Sequence, residues 1–447
     1  EDWTNLKDVS KAFYDQEGLG SSKFKKEVYN IYERASFKLI ETTFAADKDE
    51  VKAATAFMAF YAEFPKSEVA DLALNNAAVY FYKQAQVKSA MDARIALIEN
   101  FPKSKYYNDQ VSALGFDYES IADFASAADW YEKLFGLDKA HEGAKEALYS
   151  AALFRKALGQ KDVAIANYGK FLAEYADDER VPNIMIDIAQ TFEGDAKWSE
   201  ASTEYYKFFS KPPEGASLDQ VFFARLQYGL ALEEMGKQSK ADSHWDDTLA
   251  AYAAAQEAGG EMKLSVEFIA QIMFKKAQPE LQTYMGMTIS GPDRKMSQAK
   301  TDKYLMDKLV GKAKALQGVE TTFADIVKTG AGEWGLAALV QLGKAYENMS
   351  EGLVTSYIPE YLNADQAEIY KMGLEDKAYV QTEKAVNVYA QALSKSYELH
   401  LYNDNTAYGT RRLGELRPDD YPVLEEDVLD ARFTATAASD TSFEDTP

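Results

Sequence analysis

One interval, 37 residues, constrains this chain more than any other feature. The tetrapeptide Phe-Pro-Lys-Ser stands at Phe64–Ser67 and again at Phe101–Ser104, 37 residues on. Stepping by 37 from Ala127 reaches Ala53, Ala90, Ala164 and Ala201 without slippage. Four residues after each alanine comes a large side chain: Phe57, Arg94, Tyr131, Tyr168 and Tyr205. Seven after each stand Phe60, Leu97, Leu134, Phe171 and Phe208; nine before each stand Phe44, Phe81, Tyr118, Arg155 and Phe192. Arg94 and Arg155 depart from the pattern, and Phe154 offers an aromatic one residue early. A sixth unit follows after 40 residues, with Gly229, Leu232, Ala241 and Trp245 at the same internal spacings.

Two antiparallel helices per interval explain these positions. A small residue lets two helix axes approach closely, and an aromatic four residues on lies one turn further along the same face. One such pair cannot bury its own apolar stripe, so neighbours must stack into a continuous core. A larger side chain at an alanine position overpacks the crossing, at about 1–3 kcal/mol. The Phe-Pro-Lys-Ser joints fall between pairs, where proline ends one helix and serine is placed to cap the next. Pro65, Pro102, Pro212 and Pro213 fall in joints, and Pro182 falls where a first helical turn begins.

The spacing of Gly115, Tyr118, Ala127 and Tyr131 resembles the tetratricopeptide (TPR) pattern, with about three residues added to its usual period of about 34. The resemblance implies an all-α fold, a right-handed superhelical α-solenoid of about eight helix pairs from Lys23 to Leu416. The first 256 residues resemble TPR proteins of bacterial envelopes, among them outer-membrane-assembly and cell-division-coordinating members. The stretches Glu333-Trp-Gly-Leu-Ala-Ala-Leu, Gly343-Lys-Ala-Tyr-Glu-Asn, Glu383-Lys-Ala-Val, Tyr397-Glu-Leu-His-Leu-Tyr-Asn and Leu413-Gly-Glu-Leu-Arg-Pro are similar to envelope-associated TPR proteins of delta-proteobacteria, including gliding-machinery members. That likeness implies a periplasmic or outer-membrane-associated scaffold, with a cytoplasmic location as the alternative.

In order along the chain, residues 1–22 read as an N-terminal remnant or linker and residues 23–256 as the regular solenoid. Lys23–Phe44 is the first helix of a long pair, with Val28, Ile31, Tyr32, Ala35 and Leu39 in a helical stripe. Residues 257–417 read as irregular repeats. Met262–Ala277 is one more first helix, and residues 278–300, with Pro279, Gly286, Gly291 and Pro292, read as a loop. Thr301–Val327 is a long helix. Gly343 and Tyr346 restore the repeat, but Ala385, Tyr389 and Leu393 come thirty residues late, so residues 350–378 read as an insertion around Pro359 with a helix over Asp365–Gln381. A capping helix over Asn405–Leu416 stops before Pro418. Residues 418–447 hold nine acids against Arg432 and read as an acidic, largely disordered tail.

The chemistry-bearing residues are sparse. The net charge of −23 opposes nonspecific binding to nucleic acid or anionic membranes and reads as a solvated helical surface. No apolar run approaches the roughly 18–20 residues of a membrane span. Without cysteine there are no disulfides, thiolate metal sites or thiol nucleophiles, and an oxidising compartment is favoured. A first residue of Glu1 fits a processed or partial chain, with any signal peptide or lipidated cysteine before it. His141, His244 and His400 lie in different repeats without a metal-ligand partner at helical spacing, and His244, beside Trp245, reads as packing or surface. No nucleophile elbow, phosphate loop or dinucleotide fingerprint occurs. Asn403-Asp404-Asn405 lacks the glycine and terminal glutamate of a calcium loop and reads as a helix cap. The expectation is no enzyme, no cofactor and no metal.

What remains is protein binding. First helices line the concave face of TPR arrays, and the corresponding outward positions here include Asn75, Val79, Tyr82, Lys83, Ser112, Phe116, Glu119, Tyr149, Lys156, Gln190 and Glu193. They lack the Lys/Asn/Arg set with which other TPR domains clamp a C-terminal carboxylate. The partners expected are other proteins, envelope-complex components first, with self-association open. The function read from this is a non-catalytic scaffold of a bacterial cell-envelope assembly. The alternatives are a structural subunit of a filament or large complex, and an accessory partner of an envelope enzyme.

Overall fold

The computed structural model describes residues 2–422, which hold eighteen helices. The tail from residue 423 on lies outside the described residues. The chain forms two compact units, one running through Ala196 and taking in Pro213–Gly215, the other formed by Lys197–Pro212 and the chain from Ala216 on. Each is all-α, a stack of TPR-like helix-turn-helix pairs.

The first unit holds α1 (Trp3–Asp15), α2 (Ser22–Asp47), α3 (Glu50–Glu63), α4 (Ala70–Lys83), α5 (Val87–Asn100), α6 (Tyr107–Ser120), α7 (Phe124–Leu137), α8 (Ala144–Ala157), α9 (Lys161–Glu174) and α10 (Val181–Glu193). The stretch read as remnant or linker is largely α1, which packs on α2. Lys25 Nζ donates to the carbonyls of Phe13, Tyr14 and Gln16 and so caps its end. The repeat alanines Ala53, Ala90, Ala127 and Ala164 are all buried, as are Phe57, Tyr131 and Tyr168 four residues after.

The register reaches the backbone itself. In the first unit one left-handed residue closes each turn inside a pair: Lys48, Ala85, Ala122 and Gly159, again at intervals of 37. At Ala85, Ala122 and Gly159 the next N–H reaches back five residues, as Gln86 N to Phe81 O at 2.9 Å, and satisfies a carbonyl at the helix end. Between pairs the serines act otherwise than expected. Ser67 and Ser104 stand three residues before α4 and α6, too early to be their N-caps. Each hydroxyl instead accepts from the N–H two residues on and donates to an acid of an earlier helix, Glu33 at 2.6 Å and Asp71 at 2.7 Å.

The second unit holds α11 (Trp198–Ser210), α12 (Leu218–Glu234), α13 (Gln238–Glu257), α14 (Ser265–Met285), α15 (Gln298–Lys328), α16 (Gly332–Val354), α17 (Ala364–Leu399) and α18 (Asp404–Leu416). Trp245 covers Gly229, and Tyr389 covers Gly343, so the late Ala385–Tyr389 signature does complete the repeat begun at Gly343. α18 packs on α16 and α17, and Asn403 caps it by accepting from Asn405 N and Thr406 N.

Both interruptions are shorter than the sequence indicates. α14 runs through Pro279 to Met285, so only residues 286–297 are irregular. A proline there forfeits one N–H and crowds Lys275, about 3 kcal/mol in a bare helix. Burial of Leu281 and Tyr284 beyond it, each worth about 1.5–3 kcal/mol, outweighs that, and Tyr284 Oη donates to Ala345 O at 2.7 Å. Likewise residues 350–378 mostly lengthen α16 and α17, leaving only residues 355–363 as connector. The two irregular segments meet: Tyr357 N donates to Ile289 O at 3.1 Å, and Gly291 lies against the Tyr357 ring. Beneath them Lys312, buried, donates to Met287 O and Asn348 Oδ1, both at 2.6 Å; burial lowers its pKa, and the two acceptors hold its N–H groups in place.

Candidate functional site

In the first unit the first helices α4, α6, α8 and α10 repeat the same positions every 37 residues, and this sorts the predicted residues into rows. Val79, Phe116 and Leu153 form an exposed apolar row, with Gln190 exposed at the next step; Phe116 is 50 % exposed. Leu153 was absent from the sequence-derived set, although one step from Phe116 reaches it.

A second row holds Tyr82, Glu119, Lys156 and Glu193. Tyr82 is exposed and stands edge-on to Phe116, ring centroids 6.1 Å apart. Glu119 accepts from Tyr131 Oη at 2.6 Å, and burial first, then that bond, raises the Tyr131 phenol. Lys156 pairs with Asp187 at 3.0 Å. Glu193 is half-buried.

The third row is Asn75, Ser112 and Tyr149. Tyr149 is half-buried, with the Arg180 guanidinium 4.6 Å above its ring. Lys83 lies apart, paired with Glu50 at 3.6 Å.

Tyr82, Ser112 and Phe116 come together in an open groove of about 390 Å³, with Arg94, Asp109, Ala113, Asp117, His141 and Glu142 as the other walls. Arg94, a departure from the repeat pattern, is its electrostatic centre. It is buried where other repeats place an aromatic, its Nε donates to Asp117 Oδ2 at 2.6 Å, and its Nη1 donates to Gln110 Oε1 at 2.7 Å. Gln110 Nε2 passes the chain on to Asn75 Oδ1 at 2.8 Å, and the guanidinium carbon lies 5.8 Å from the Tyr82 ring. Asp117 is fully buried. Burial raises its pKa against the opposing pull of Arg94, and its Oδ1 has no hydrogen-bond partner. A buried carboxylate oxygen without a donor costs about 1–3 kcal/mol, so the Arg94–Asp117 pair is held beneath the groove at a cost in stability.

Ser112, His141 and Asp109 share the groove and by composition resemble a hydrolytic triad. The geometry removes the base. His141 Nδ1 accepts from Gly143 N at 3.0 Å, so Nε2 carries the proton, and it faces Asp109 Oδ1 at 3.0 Å. No ring nitrogen is left to take a proton from Ser112. Arg155, the other departure, is bound to Glu132, Asp129 and Gln160 between repeats, while Phe154 takes up the aromatic contacts, with Phe124 at 4.9 Å and Tyr131 at 6.3 Å. His244 is buried against Tyr228 and Phe209, as a packing residue. Among the described residues no group of three His, Asp or Glu side chains is placed to hold a metal, and no helix is long and apolar enough to cross a membrane.

No protein-family model matches the sequence, and no curated protein does. Among solved structures, the chain is similar to a tetratricopeptide repeat protein from Parabacteroides merdae, at 12 % identity over 68 % of this chain and 98 % of that one, TM-score 0.27. It is similar to PilW, a type IV pilus biogenesis factor, at 15 % identity over 49 % and 94 %, TM-score 0.24. The C-terminal part of a TPR protein from Cytophaga hutchinsonii matches at 12 % identity over 76 % and 98 %, TM-score 0.30. These overlaps are low, and the fold assignment rests on the chain's own helices and register.

Proposed function

We propose that the chain is a non-catalytic protein-interaction scaffold, and that the α4–α6–α8 face of its first unit takes an extended segment of another protein. The observation that carries this is the Val79–Phe116–Leu153 row. Three apolar side chains repeat at one structural step, all left exposed, beside a carboxylate oxygen that lacks a donor. Side chains of an extended segment seat on the row, over the buried Arg94–Asp117 pair. Stacked pairs supply such extended surfaces because each repeat adds the same contact at a fixed step. The envelope setting, periplasmic or outer-membrane-associated, rests on the likeness of Glu333–Pro418 to envelope-machinery TPR proteins.

Crosslinked capture from the native cells tests both parts. Phe116→Asp with Leu153→Asp alters exposed positions and spares the core, so the fold is retained by circular dichroism. The expected result is recovery of cell-envelope proteins that falls about tenfold in the variant, since two part-exposed apolar anchors each forfeit up to about half of the roughly 1.5–3 kcal/mol of full burial. Undiminished capture refutes the face, and recovery of cytoplasmic proteins alone refutes the setting.

A further inference from the structure

The second unit carries an apolar groove that the repeat pattern does not call for. It lies where the two irregular segments meet, between the start of α15 and the start of α17, and encloses about 440 Å³. Leu305, Met306 and Leu309 form one wall and Ile369, Tyr370 and Leu374 the other. Ile369 is 70 % exposed and Met306 59 %, unusual for apolar side chains that face each other across a groove. Ser356 in the same lining is buried, and its Oγ has no partner.

Charge marks the rim. In a chain of net −23, the stretch from Arg294 to Lys314 holds seven bases and two acids, a local balance of +5. Arg294, Lys295, Lys300, Lys303 and Lys308 are exposed, and none has an ion-pair partner among the described residues. The lining itself carries only Asp302 and Lys377, so the excess positive charge lies on the α15 side, and an apolar occupant with acids turned to that side fits. Residues 423–433 of the same chain, Val-Leu-Glu-Glu-Asp-Val-Leu-Asp-Ala-Arg-Phe, have that composition: four acids, one base and the apolar Val423, Leu424, Val428, Leu429 and Phe433.

They are also within reach. Arg417 pairs with Glu383 of α17, and Tyr421 packs on the core. From Glu383 back to Leu374 is nine helical residues, about 14 Å at 1.5 Å each. Residues 422–428 span up to about 23 Å when extended. We propose that residues 423–433 dock in this groove of their own chain, Leu424 toward Leu374, Val428 and Leu429 against Met306 and Ile369, the acids toward the lysines of α15.

The test uses the full chain, which has no cysteine to interfere. Val428→Cys is paired with Ile369→Cys in the groove or, as a control, with Glu375→Cys, about 120° around the same helix and about 9 Å further along it. A short bismaleimide, tolerant of small register differences, joins the two thiols. Docking is expected to crosslink the groove pair within the monomer about tenfold faster than the control pair. Leu424→Asp with Leu429→Asp, or high salt, is expected to bring the two rates together. Equal rates in the otherwise unaltered chain overturn the proposal, whether the groove is empty or serves another protein. Crosslinked dimers overturn it in favour of a second copy's tail.

Discussion

Gly343 on α16 makes the late repeat possible, and adding one methyl group there tests the packing directly. A Cβ at Gly343 falls 2.3 Å from Tyr389 Cε1, so the ring must retreat by about 1 Å to regain ordinary contact. It has little room to do so. Tyr389 is fully buried, its Oη donates to Glu347 Oε1 at 2.5 Å, and Glu347 in turn holds Arg412 on α18, Nε to Oε2 at 3.1 Å. Overpacking costs about 1–3 kcal/mol and a weakened bond to a charged acceptor about 1.5–3, while alanine returns about 1 kcal/mol of helix propensity. Gly343→Ala should therefore lose about 2–4 kcal/mol. Gly169, exposed in the middle of α9, has nothing within 4 Å of the same added atom. Gly169→Ala should gain up to about 1 kcal/mol. Amide hydrogen exchange resolved by helix is the assay, because a stack of repeats need not unfold as one unit. In Gly343→Ala, exchange in α16, α17 and α18 should accelerate about 30-fold or more. In Gly169→Ala, exchange in α9 should slow. Two variants with the same sign, or a Gly343→Ala chain that exchanges like the parent, would refute the close-approach reading.

Alkaline pH should unfold the protein through its buried phenols. Burial is the first cause of the raised pKa of Tyr131, Tyr168, Tyr284, Tyr346 and Tyr389. Below about pH 10 folded and unfolded chains both keep these protons and stability is flat; above it only the unfolded chain releases them, so stability falls by about 1.4 kcal/mol per pH unit per tyrosine. Tyrosinate absorbance should rise in a late cooperative step together with loss of helix, and smooth titration of all 29 tyrosines with the helices intact would contradict this. Ala122 holds φ 61° in the α6–α7 turn, where Gly159 serves one repeat later, and nothing but the backbone requires it. Ala122→Gly should stabilise by about 0.5–1 kcal/mol in urea titration, and a loss of stability would show that the left-handed turn carries no strain.

What could be read from the residues follows from what kind of constraint wrote them. Ala127, Tyr131 and their equivalents are dictated by helix crossings that recur, so the register alone located the core, while the left-handed turns that share its interval emerge only in the backbone. The same register placed Tyr82 and Phe116 on one face and leads to Leu153 as well. Two kinds of feature resisted it. Pro279 and Pro359 mark breaks by local rules, but burial of Leu281 and Tyr284 carries α14 past the first, and only nine residues around the second stay irregular. Arg94 and Arg155 registered only as blemishes in a pattern. Apart from Gln160, their partners lie 16 to 26 residues away in sequence, on the neighbouring helix pair, at separations no local periodicity predicts. A repeat position that ought to bury an aromatic and instead buries a guanidinium must bring its own acid with it, since an unpaired buried charge costs several kcal/mol. Arg155 brings two, Glu132 and Asp129, and its needs are met within the stack. Arg94 brings Asp117, and one oxygen of that carboxylate is left over at the floor of a groove. Departures from a repeat are thus the places to look for function in an array like this one, because the repeated positions are already committed to holding it together.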